Sequence, residues 1–225
     1  MLRRPGCLAL FALVALIVLP FFYAEVMVSA MAKLAMPPNL AFLAVFGVIL
    51  GSVVNIPIRK IERAEEFRVD QFHMYGIDRL FPGRIRHARF TVIAVNLGGC
   101  LIPLSIAIFE IIRIAQTGAT PLTIFVLVAA ADILACYLFA RPVQGVGIVM
   151  PTLLSPLIAA AGALLLAPDF APPVAFAAGV LGPLVGADLL HLRDIGRLDT
   201  GIASIGGAGT FDGIVLSAVI ATFLA

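Results

Sequence analysis

Residues Gly186 to Gly213 read G-A-D-L-L-H-L-R-D-I-G-R-L-D-T-G-I-A-S-I-G-G-A-G-T-F-D-G. Asp188 closes one apolar run and Asp212 opens another, with a short charged turn between them. A carboxylate in a bilayer is expensive, and the default reading of one is a functional site. The glycine-rich Gly206-Gly207-Ala208-Gly209 leads into the second carboxylate. Glycine weakens a helix, so this lead-in predicts a re-entrant or partly unwound backbone. Irregular backbone at membrane depth survives only where protein surrounds it or a cavity solvates it. The stretch therefore predicts two membrane helices meeting around a polar pocket.

Composition supplies the membrane. Of the 225 residues, 62% are hydrophobic and only 12% are charged. A soluble domain carries about 45–50% apolar and roughly 25% charged residues. The excess lies in long runs, which a bilayer selects and a globular core does not. A net charge of +2 is too small to imply a nucleic-acid partner. Cys7, Cys100 and Cys136 fall in separate apolar runs without C-x-x-C spacing, so they read as small buried hydrophobes. No cofactor, disulfide framework or metal site is expected.

Seven runs approach the roughly 20 residues a spanning helix needs. They cover about 7–30, 39–58, 91–114, 121–140, 145–167, 174–192 and 201–225. The expected fold is an all-α membrane protein of about seven transmembrane helices in one polytopic domain. The first run competes with a cleaved signal peptide, given its basic start and the small-residue Val28-Ser29-Ala30. Between the second and third runs, 59–90 is hydrophilic and predicts a short cytoplasmic hairpin turning at Pro82-Gly83. An amphipathic interfacial helix is its rival. His73 and His87 of this insert read as exposed or interfacial histidines. With a cytoplasmic N-terminus, thirteen of the fifteen basic residues face the cytoplasm, and only Lys33 and Arg113 lie outside. That asymmetry orients the chain with its C-terminus outside, in an inner or plasma membrane.

This topology gathers polar residues at the cytoplasmic side. Asn55 ends the second run, Asn96 begins the third, and Gln144 with Gly145-Val146-Gly147 begins the fifth. Asp188 lies about a turn from the end of the sixth. Asp212 would sit roughly 18 Å deep in a continuous helix, and shallower in an unwound one. Asp132 is near the middle of the fourth run, and Glu110 with Arg113 reads as an i,i+3 pair at a helix end. The candidate catalytic residues are Asp188 and Asp212. The candidate substrate- or ion-binding residues are Asn55, Asn96, Asp132, Gln144, Gly206, Gly207, Gly209 and Thr210. Plainer duties compete. Gly182, Gly186, Gly206 and Gly213 could serve helix packing, and the two asparagines interhelical hydrogen bonding. The carboxylates could cap free N–H groups of a broken helix, and Asp132 could pair with a polar neighbour. His191 shares a helix face with Asp188, but with Asp212 it completes only three ligands, which is weak as a metal site.

The motifs G-S-V-V-N-I-P, A-V-N-L-G-G-C-L-I-P, R-P-V-Q-G-V-G-I, G-A-D-L-L-H-L and A-S-I-G-G-A-G-T-F-D-G-I resemble an uncharacterised family of prokaryotic multi-pass membrane proteins. The resemblance covers nearly everything after the first run and brings no activity with it. A second resemblance is to the GxGD intramembrane aspartyl proteases, which use one Asp on each of two successive helices. It implies Asp188 as the first catalytic carboxylate and Asp212 as the second. The chain departs from that pattern at Ala187, where the proteases carry tyrosine, and at Thr210-Phe211, which separate the glycines from Asp212. No Pro-Ala-Leu motif follows.

Three functions stay open. An intramembrane aspartyl peptidase would act on a membrane-protein substrate through Asp188 and Asp212. A small ion- or proton-coupled transporter or channel would also use Asp132. A scaffold would need none of the three. The lipid bilayer is the partner common to all.

Overall fold

The computed structural model describes residues 5–62, 90–143, 147–195 and 202–225. Helix α1 spans Pro5–Lys33, and α2 spans Pro38–Gly51 with proline at its first position, where no N–H partner is lost. After two strands come a π-helical turn, Leu97–Leu101, and α3, Ile102–Thr117. Gly118, with a positive φ, separates α3 from α4, Ala119–Phe139. Helix α5 covers Leu154–Leu166, and a short 3-10 turn leads to α6, Ala171–Leu181. The chain then continues as a π-helical segment, Gly182–Leu189, and a short α7, Leu192–Ile195. Helix α8, Gly213–Leu224, closes the described chain.

Helix α6 is the centre of the bundle. It packs against α3, α4, α5 and α8, and residues Val174 to Val180 are buried without a gap. Small side chains make that closeness possible. Ala159, Ala163, Ala175, Ala178 and Ala221 are inaccessible, and Gly179 lies against the Ser217 backbone of α8. The outward faces carry the large apolar groups instead, including Phe42, Leu138 and Leu165. Small inside and large outside is the arrangement of helices packed in lipid, where exposed Leu and Phe carry no penalty. Among the described residues three helical segments are long and apolar enough to cross a membrane: Leu97–Thr117, Ala119–Phe139 and Pro168–Asp194. The chain is an integral membrane protein.

One end of the bundle is capped by a sheet, which corrects the all-α expectation. Strand β1, Asn55–Glu62, pairs antiparallel with β2, Phe90–Asn96. Strand β5, Ile202–Ile205, pairs parallel with β2 on its other side. A second ribbon joins β3, Arg141–Val143, to β4, Gly147–Val149. Four helix boundaries move as a result. The run to Ile58 leaves the helix at Gly51, which packs against the Gly98 backbone. Thr91 to Asn96 is strand, in keeping with its Thr, Val and Ile content. Helix α5 starts at Leu154 instead of 145. The glycine-rich lead-in is non-helical as expected, but it is a strand and turn, so α8 starts at Gly213. The hairpin or interfacial helix expected at 59–90, with His73 and His87, lies outside the described residues apart from the paired flanks.

Candidate functional site

The loop from Gly206 to Asp212 is built on two glycines in left-handed backbone. Gly206 has φ +71° and Gly209 has φ +62°, values an L side chain resists. Space demands glycine as well: a Cβ on Gly206 would lie 2.6 Å from the Gly99 carbonyl carbon, and one on Gly209 would strike Ser52. The loop tightens through Gly207 N–H to Ser204 O at 3.0 Å and Gly209 N–H to Gly206 O at 2.9 Å. It delivers Asp212 as the N-cap of α8. Asp212 Oδ1 accepts from Ile214 N–H at 3.0 Å, and Oδ2 accepts from Ala208 N–H at 3.2 Å. Both bonds answer backbone donors that a broken helix leaves open, and the helix dipole favours a negative group there.

Asp188 arrives from another direction, near the end of the π-helical segment that continues α6. Pro183 and Gly182 open this segment, and wide turns of this kind recur at functional sites. Its carboxylate lies near the Gly206 backbone N–H and within electrostatic reach of Asp212. The Cys100 thiol, from the π-helical turn after β2, lies within electrostatic reach of both. Three elements thus bring Asp188, Asp212 and Cys100 within electrostatic reach of one another, and one loop donates backbone N–H groups to Asp212.

The other residues named from sequence divide clearly. Asn96 is fully buried and fully used: Nδ2 donates to Ser52 O at 2.8 Å and to Asn55 Oδ1 at 3.0 Å, and Oδ1 accepts from Gly99 N–H at 2.7 Å. Asn55 also accepts from Ser204 Oγ at 2.6 Å, so the two asparagines tie β1, β2 and β5 together. Thr210 Oγ1 meets Ser52 Oγ at 2.8 Å, and its carbonyl accepts from Tyr23 Oη at 3.1 Å. The Tyr23 ring stacks on Phe211 at 5.5 Å. Gly207 packs on Ser204. These residues hold the loop beneath the carboxylates. Ser52, Ser204, Tyr23 and Cys100 belong to this frame and were not singled out from sequence. Their signal is weak: a lone hydroxyl or thiol in an apolar run has no spacing to read.

Asp132 is elsewhere. It is fully buried on α4, where Oδ2 accepts from Ser155 Oγ at 2.8 Å and Oδ1 from the Cys136 thiol at 3.7 Å. Gly182 seats against it so closely that any Cβ there would strike the carboxylate. Asp132 thus touches the start of the π-helical segment whose end carries Asp188. His191 Nδ1 donates to the carbonyls of Ala187, at 3.0 Å, and Gly186, at 3.2 Å, and its ring leans on Tyr137. Among the described residues no group of three His, Cys, Asp or Glu side chains is placed to hold a metal ion. Gln144 lies outside the described residues. The expected Glu110–Arg113 pair is present, at 2.9 Å, at the opposite end of the bundle.

The chain belongs to a family of proteins of unknown function, DUF1614, whose model matches residues 49–224. That bears out the resemblance to an uncharacterised family. No curated protein and no solved structure matches the chain.

Proposed function

We propose that this member of the DUF1614 family is a multi-pass protein of the inner or plasma membrane that hydrolyses peptide bonds with an aspartyl dyad, Asp188 and Asp212. In this reading the chain crosses about seven times, with its N-terminus in the cytoplasm, and the sheet end with the dyad faces the cytoplasm. One observation carries it: two carboxylates from different elements lie within electrostatic reach of each other beside one loop, whose amides hold Asp212. Two carboxyl groups in proximity share a proton, which lets one act as base while the other acts as acid. Asp212 already uses both oxygens as acceptors and is suited to draw a proton from water. The water oxygen then bonds to the carbonyl carbon of the substrate. Asp188 gives the shared proton to the carbonyl oxygen as the C=O bond opens. The C–N bond then breaks, the nitrogen taking the proton that Asp212 drew from water, while one hydroxyl of the diol returns its proton to Asp188 and the C=O bond re-forms. Asn55, Asn96, Gly206, Gly207, Gly209 and Thr210 act on the substrate only indirectly, by fixing the loop.

The test is hydrolysis of defined single-span peptides by purified protein, read by mass spectrometry. Asp188→Asn and Asp212→Asn should each abolish cleavage while thermal unfolding stays close to the parent. Cleavage retained by either variant rules out the dyad.

One observation favours a second reading, a proton- or cation-coupled transporter. Asp132 is a fully buried carboxylate in contact with the segment that carries Asp188. In that case Asp132→Asn should stop flux in proteoliposomes, and unaltered flux would remove Asp132 as a relay. A scaffold would instead tolerate all three substitutions.

A further inference from the structure

Between α1 and α2 runs a groove of about 490 Å³ whose lining includes Phe21, Ala24, Glu25, Ser29, Phe42 and Phe46. The three phenylalanines are exposed, as the outer wall of a membrane helix pair should be. Glu25 is not explained that way. It is exposed within the groove and has no hydrogen-bond or ion-pair partner among the described residues. Lys33 lies eight residues further on, about 12 Å along the helix axis. Its amine is already committed to the Phe223 carbonyl at 2.6 Å. Ser29, one turn from Glu25 on the same face, adds a hydroxyl and no charge.

A carboxylate placed among aromatic side chains at membrane depth needs an answering group, and lipid tails offer none. A second copy docking by two-fold symmetry would set Glu25 near Glu25, adding like charge to the problem. Charge complementarity selects a different occupant. We propose that the α1–α2 groove is the docking site for a transmembrane helix of another protein that carries a lysine or arginine at the depth of Glu25. The phenylalanines pack its apolar face, and Glu25 with Ser29 takes the basic head group.

The α1 and α2 segments that form the groove also contact the loop that ends in Asp212. Ile49 lines it one turn before Ser52, whose hydroxyl meets Thr210 Oγ1 at 2.8 Å. Tyr23, two residues before Glu25, bonds the Thr210 carbonyl and stacks on Phe211. Tyr23 and Glu25 point to opposite faces of α1, so a helix held in the groove lies level with this loop and across α1 from it. That the docked helix is a substrate rests on the hydrolase reading; that it docks does not.

The experiment measures energy transfer between the full-length protein and synthetic helices in phosphatidylcholine vesicles. Three leucine-alanine helices of about 20 residues differ at one position, set at the depth of Glu25: Lys, Gln or Leu. The Lys helix should bind about tenfold more tightly than the Leu helix, the scale of one good interhelical polar contact. Glu25→Gln should erase that preference, and Ala24→Trp, which fills the groove, should weaken all three. Equal binding of the three helices, or a Lys preference that survives Glu25→Gln, overturns the proposal. So does energy transfer between copies of the protein that Ala24→Trp abolishes, since a second copy would then own the groove. Repeating the binding with Asp212→Asn separates the two readings. Docking that persists without any cleavage by the parent sinks the hydrolase alone, and cleavage without Lys-dependent docking sinks the groove alone.

Discussion

The two ends of the bundle handle charge in opposite ways. At the end where α1, α3 and α8 finish, opposite charges and carbonyls meet. Arg113 Nη1 reaches both Glu110 oxygens, at 3.0 and 2.9 Å, and the Leu34 carbonyl at 2.7 Å, and Lys33 holds the last turn of α8. Cations suit helix C-termini, so this end is locked by its charges. At the sheet end Asp188 and Asp212 lie within electrostatic reach of each other, and two amides hold Asp212 at a helix N-terminus. Nothing of opposite sign quenches them within their described hydrogen bonds. The first arrangement is what structure needs. The second depends on glycine packing and strand pairing, which assemble the loop beside the two carboxylates.

The strongest way to break this contrast is to neutralise one charge at each end. Asp188→Asn or Asp212→Asn should lower peptide hydrolysis by roughly 10³–10⁴-fold, the loss typical of removing a member of a catalytic unit. The rate per folded molecule should not respond to Arg113→Leu. That variant should lose stability instead, by about 3 kcal/mol, because it leaves the buried Glu110 carboxylate without its partner. Thermal unfolding in detergent and peptide cleavage on the same samples check both outcomes. Reversed effects, with the Asp variants unstable and Arg113→Leu inactive but stable, would undo the division between the ends.

Packing sharpens the comparison next. A Cβ on Gly99 would meet the Gly206 carbonyl, a backbone atom that cannot swing aside, and Gly206 lies beside Asp188. Gly99→Ala should cost roughly 2–3 kcal/mol, the range for forcing an atom into a tight core, and cleavage should fall with it. Gly47→Ala is the control. Its Cβ would meet only the flexible Ile102 Cδ1, at 3.2 Å, so it should stay within about 1 kcal/mol of the parent.

These variants also mark where sequence reading stops. Length and hydropathy were enough for α1 and α4, because one uninterrupted apolar run maps to one helix. The Glu110–Arg113 pair followed from i,i+3 spacing alone. The broken lead-in to Asp212 followed from its glycines. The strands did not, because Asn55–Ile58 and Thr91–Asn96 are as apolar as the helices they adjoin, and hydropathy merges them. Their β-branched residues were the available clue. The pairing of β2 with β5 joins Val92 to Ile202, and no local pattern encodes a partner so distant. Asn55 and Asn96 therefore read as site residues when their side-chain hydrogen bonds among the described residues are to each other, to Ser204 and to nearby backbone.

The smallest expected effect concerns Asp132. Its partners are donors, Ser155 and Cys136, and it sits on the near side of Gly182, one segment away from Asp188. Asparagine keeps the shape and retains an oxygen for the Ser155 hydroxyl, so Asp132→Asn should leave hydrolysis within about threefold of the parent, under 1 kcal/mol of barrier. Gly182→Ala at the same contact is the counterpart. It pushes a methyl group into the carboxylate, and that displacement passes along the π-helical segment towards Asp188. If Asp132→Asn is silent while Gly182→Ala lowers cleavage, Asp132 acts by shape, as a post against which the Asp188 segment rests. If Asp132→Asn alone stops turnover or flux, its charge is in use. The buried carboxylate then belongs with the reactive end of the molecule rather than with the bundle that supports it.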